Sequence, residues 1–191
     1  MNPQATKHEE TIFRTMLIVG MILFAAIMRI VPHPWNLAPV GAMALFSGAV
    51  IRNRVMAFVF PLLAMLAGDF FVGFHILMPV VYASFLISTA IGFWVRERRS
   101  AVRVGGVVLL GAIQFFLITN FGVWMFSNFY PKTLAGLMAC YAAGVPFFWN
   151  TLAGDICYSA LLFGGLFLAE RTYPALRSNV SVVSQRVAPA R

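Results

Sequence analysis

Two aspartates, Asp69 and Asp155, stand inside apolar runs, each closing a Leu-Ala-Gly-Asp tetrapeptide at 66–69 and 152–155. A carboxyl so placed costs roughly 2.5–3.5 kcal/mol on insertion scales, so it faces a partner or a wet cavity. Two readings stay open. Either both line a binding pocket, with Arg29, His33 or His75 as partners, or Asp69 only ends its span and Asp155 bonds a neighbouring helix. The remaining polar candidates gather around the ends of apolar runs. Arg29, His33, Trp35 and Asn36 follow the first, His75 and Tyr82 follow the third, Asn120 and Trp124 lie late in the fifth, and Asn150 opens the last. The aromatics among them suit either an interfacial belt or the wall of a pocket for a planar ligand. Buried amides such as Asn36, Asn120 and Asn150 must find partners.

Catalysis finds less support. GxSxG, a Ser/Lys dyad, a Gly-rich phosphate loop and a DDxxD carboxylate pair are all missing, so the chain is not expected to be an enzyme or to hydrolyse ATP. His33 and His75 could each ligate a metal, but no HExxH or Cys/His ladder accompanies them, and neither a metal site nor a cofactor is expected. Cys140 and Cys157 sit within apolar runs without CxxC spacing and read as inert buried thiols.

The elements that position these residues follow from composition. Of 191 residues, 61% are hydrophobic and only 10% charged, far below the quarter that a water-facing surface uses. The chain is an integral membrane protein. Apolar runs fall near 12–31, 38–51, 55–74, 77–95, 102–126, 134–148 and 150–169. The first lacks a small-residue cleavage site and reads as a retained span. The run 38–51 reads as a short or tilted span. The run 134–148, broken by Gly144 and Pro146, dips into or lies along the outer face, or forms the first turns of a bent last helix.

Charge chooses among span counts. With six spans and a cytoplasmic N-terminus, all 14 Lys and Arg except Arg29 and Lys132 fall inside, as the positive-inside rule demands. The net charge of +8 thus reports orientation and not nucleic acid, because the basic residues form short clusters between apolar runs. The expectation is an all-α, six-transmembrane-helix bundle with a short extra helix or re-entrant segment before the last span. Residues 1–11 form a cytoplasmic segment, 12–170 the membrane domain and 171–191 a disordered cytoplasmic tail. Small residues at four-residue spacing, at Ala135-Ala139-Ala143, Ala64-Gly68 and Ala160-Gly164, allow close helix approach.

The stretches PHPWNLAPVGAMALFSG (32–48), LLAMLAGDFFVGFHILMPVVYASF (62–85), FFLITNFGVWM (115–125) and YPKTLAGLMACYAAGVPFFWNTLAGDICYSALLFG (130–164) resemble an uncharacterised bacterial membrane family allied to the S components of energy-coupling-factor vitamin transporters. That resemblance implies a bacterial inner-membrane subunit that binds a vitamin-like nutrient from outside and joins a transmembrane coupling subunit and two ATPases. Cobalamin is among the candidates it implies, through His33, Asp69 and Tyr82. No cysteine follows the third span to take cobalt, and only His75 stands there. Two rivals remain: a scaffold subunit of a cell-envelope complex, and an intramembrane lipid-modifying enzyme using His33, His75 and the aspartates.

Overall fold

The computed structural model describes residues 3–31 and 37–176, with side chains from residue 11 onward except those of Val72 and Ala175. The described residues form six α-helices and no strand: α1 (Pro3–Ile30), α2 (Val40–Val50), α3 (Arg54–Val72), α4 (Met78–Gly92), α5 (Ala101–Phe126) and α6 (Leu134–Thr172). All but α2 are long and apolar enough to cross a membrane, α4 by continuing through a 3-10 turn at Phe93–Val95. The protein is therefore an α-helical, multi-pass membrane protein. Local chemistry sets the helix starts. Asn53 accepts the amides of Val55 and Met56 at the head of α3, Ser100 that of Arg103 at the head of α5, and Thr133 that of Gly136 at the head of α6. Gly73, at φ 102°, ends α3 in a conformation other residues rarely adopt.

Helices α1, α3 and α5 run away from the arginine-rich end of the bundle, and α2, α4 and α6 return to it. At that end Glu170 of α6 faces Arg14 of α1 at 3.6 Å and Arg99 of the α4–α5 connection at 3.3 Å. Exposed Ile, Leu and Phe cover the outside of α1, α3, α5 and α6, as lipid contact requires.

The centre of the bundle is α2. Nine of its residues, from Ala42 to Val50, are buried, although it rises only ~16 Å, about half the ~30 Å hydrocarbon thickness. Gly48 and Gly92 bring α2 and α4 into backbone contact, since a Cβ on either would collide with the main chain of the other helix at Thr89 or Leu45. Phe46, fully buried, meets Phe163 of α6 edge to face at 5.2 Å.

One expectation is narrowed to a single alternative, and both ends of the membrane domain gain detail. Residues 134–148 are neither a separate helix nor a re-entrant segment. They are the first turns of α6, continuous over 39 residues and ~58 Å. Pro146 lies within it, where a missing amide is tolerated in a membrane helix. Helix α1 already begins at Pro3, inside the segment set apart as 1–11. At the other end α6 runs to Thr172, and a 3-10 turn, Pro174–Leu176, packs Leu176 beneath α1 at 2% exposure. The remainder of the expected tail lies outside the described residues.

Candidate functional site

The described polar residues divide into three sets and do not converge on one pocket. The first joins α1, α3 and α4. Arg29, in the last turn of α1, donates through Nη2 to Asp69 Oδ1 at 2.5 Å and through Nη1 to the Met65 carbonyl at 3.1 Å. Tyr82 donates its phenol to Asp69 Oδ2 at 2.6 Å. Asp69 is 1% exposed, and both its oxygens are occupied. Gly68 makes room for the guanidinium, which would stand 2.9 Å from a Cβ there. A buried carboxyl engaged by a cation and a phenol meets the demand for partners without a ligand.

The second set holds α2. Asp155 on α6 is 1% exposed and accepts the amide of Ala42 at 3.0 Å, so a side chain from the last helix caps a helix that has no side-chain cap of its own. Gly41 permits this, because a Cβ there would lie 2.5 Å from both Asp155 oxygens. Gly154 gives similar room to the chain entering α2 at Leu37 and Ala38. At the opposite end Arg96 donates to the carbonyls of Gly48 and Ile51, each at 2.7 Å, and its guanidinium lies 4.1 Å from the Phe93 ring centre. Burial and the neighbouring Arg54 lower its pKa from the ordinary guanidinium value. An acid at the N-terminus and a base at the C-terminus both complement the dipole of α2.

The two Leu-Ala-Gly-Asp segments thus do one job. In each, glycine clears space and the next aspartate grips the chain, Asp69 at Arg29 before the α1–α2 connection and Asp155 at Ala42 after it.

The third set is a cleft of about 570 Å³ between α4, α5 and α6, roofed by the α5–α6 loop at Phe129 and Tyr130. Asn120 lies in its wall and donates Nδ2 to the Phe116 carbonyl at 2.8 Å, over Gly144, where a Cβ would collide with its amide. Trp124 faces elsewhere. Its indole donates to the Pro131 carbonyl at 2.9 Å and, with Lys132 bonded to the Trp124 and Ser127 carbonyls, ties down the loop.

Of the remaining expected site residues, Asn150 is half-buried on α6 and outside the cleft lining, and His75 is exposed on the α3–α4 connection. His33, Trp35 and Asn36 lie outside the described residues. No grouping of His75 with the two aspartates is assembled, since Asp69 and Asp155 are committed elsewhere. Sequence reasoning missed the roles of Arg96 and Gln114. Gln114 donates to Ser88 Oγ at 2.6 Å and to the Ser84 carbonyl at 3.2 Å, joining α5 to α4. An amide at mid-span was the signal for Gln114; nothing in spacing separates Arg96 from the other basic residues around it.

Neither a curated protein nor a solved structure matches this chain. A family model does match, over residues 9–176, a stretch that holds all three polar sets, and the chain therefore belongs to DUF6580, a family of unknown function.

Proposed function

We propose that the protein is the substrate-binding membrane subunit of an uptake system for a small, vitamin-like nutrient. It takes its ligand from the side opposite the arginine-rich end and depends on a transmembrane coupling subunit and two ATPases for energy. In this reading it lies in a bacterial inner membrane with both termini cytoplasmic. It makes six crossings, with α2 belonging to the second.

The observation that carries the proposal is the cleft of about 570 Å³ at the end away from the arginines. Its volume falls in the range of small-molecule sites, and its mixture of aromatic walls and a few polar groups is their usual composition. Asn120 and the rings around it are the binding residues. Arg29, Asp69, Tyr82 and Asp155 act indirectly, by holding the helices that frame the cleft. Cobalamin is the weaker candidate, because Asp69 and Tyr82 are turned on each other and on Arg29.

The test is mass spectrometry of small molecules released from protein purified in mild detergent, beside an Ala143→Phe variant in which the new ring fills the cleft. A stoichiometric compound present in the native protein and missing from the variant is the expected result. Native protein that stays free of ligand after growth in vitamin-rich medium would sink the proposal. A scaffold subunit is the second reading, favoured by the internal pairing of Asp69, Asp155 and Gln114. It predicts co-purifying membrane proteins and no small molecule.

A further inference from the structure

Resting on that reading of the cleft, we infer that its ligand is a flat, uncharged molecule that offers N–H or O–H donors. The walls decide the shape. Phe115, Phe116, Phe129, Tyr130, Phe147 and Phe148 surround the space, and Phe116 stands edge to face with Phe148 at 5.4 Å. Rings so arranged present faces and edges to a planar guest.

Charge is decided by the described lining, whose residues include no Lys, Arg, Asp, Glu or His. Lys132, nearby on the loop, already gives its ammonium to two carbonyls. An ionic ligand would shed its water here and meet no counter-charge, so a neutral one is favoured.

The polar inventory decides the hydrogen-bonding sense. Thr119 donates to the Phe115 carbonyl at 2.7 Å and Thr151 to that of Phe147 at 3.0 Å. Asn120 donates Nδ2 to Phe116, and the Cys140 thiol donates to the Asn120 carbonyl at 3.4 Å. With those hydrogens committed, the two hydroxyl oxygens and Asn120 Oδ1 remain as acceptors. The phenol of Tyr130 and the second amide hydrogen of Asn120 are the donors left over. The lining is richer in acceptors, and a matching ligand supplies hydrogens.

Equilibrium dialysis against the full-length protein in lipid nanodiscs tests this with three probes. Adenine is flat, neutral and donor-bearing; 6-dimethylamino-9-methylpurine has the same ring system without a donor; nicotinate is flat and anionic. Adenine is expected to bind at least about tenfold more tightly than either, the equivalent of one or more hydrogen bonds, and Asn120→Leu is expected to shrink that ratio. Equal binding of the two purines, or a preference for nicotinate, would overturn the ligand class and leave the cleft as a binding site. Absence of binding by all three, with a lipid acyl chain retained in the cleft by native mass spectrometry, would overturn both. The purine pair needs no variant, so a misfolded Asn120→Leu protein does not blunt the test.

Discussion

Replacing Gly41 with alanine should reveal how α2 is held, because its effect depends on a residue from the last helix. The new Cβ would lie 2.5 Å from both oxygens of Asp155, so the carboxyl must leave the Ala42 amide. Losing the cap costs about 1 kcal/mol, within a range of ~0.5–2, and stranding the buried carboxyl adds about 1–3 kcal/mol. Alanine recovers ~0.5–1 kcal/mol by its helix preference over glycine. The net loss for Gly41→Ala is therefore about 2 kcal/mol, within a range of ~1–3.5. In an Asp155→Ala background the collision and the stranded carboxyl both vanish. There the same substitution should stabilise by ~0.5–1 kcal/mol, a coupling of about 3 kcal/mol between the two sites. Unfolding of the four proteins in mixed micelles of fixed detergent composition, followed by tryptophan fluorescence, measures the cycle. A Gly41→Ala cost that is equal in both backgrounds would refute the cap.

Arg29→Met should destabilise by about 3 kcal/mol by leaving Asp69 without its cation, and adding Asp69→Leu should restore most of the loss; additive costs in the same unfolding assay would count against a coupled pair. Arg96→Gln should cost about 1–2 kcal/mol by removing charge and donors from the C-terminus of α2, and Arg96→Lys should recover only part. Gly92→Ala should cost at least ~2 kcal/mol, because its Cβ collides with the α2 main chain at Leu45, which cannot give as a side chain would. On a protein with Cys140 and Cys157 removed, a membrane-impermeant maleimide should label Lys132→Cys on intact spheroplasts and label Arg98→Cys only on inverted vesicles. The reverse pattern would overturn the proposed orientation.

The all-helical, apolar character of the chain was legible because hydropathy alone reports it, and basic residues mark the connections at 52–54 and 96–103. Asp69 was also legible as a group needing a partner, and Arg29, one of three named for it, supplies the contact. What escaped depends on three-dimensional approach. Gly144 and Pro146 read locally as breaks, but Gly144 is a packing surface for Asn120, and the helix runs through both. The run 38–51 has the hydropathy of a span, and nothing in it says that its first helical turn starts deep in the bundle. Asp155 offered two readings, and the neighbouring-helix one describes its contact with α2. The cleft was partly visible through Asn120; its aromatic walls hid among 19 phenylalanines, most of which a membrane protein spends on lipid and packing.

The capping of α2 also bears on the order in which the chain is built. Its two caps arrive late in synthesis, Arg96 lying 45 residues beyond Ile51 and Asp155 113 residues beyond Ala42. Ribosomes deliver the chain N-terminus first, and a segment of half-membrane length cannot satisfy its terminal amides in hydrocarbon by itself. Residues 40–50 should therefore reach their seat only after α6 has been inserted. The second helix in sequence is then among the last to reach its final place, and a chain stopped before residue 155 would be left with its central helix unseated.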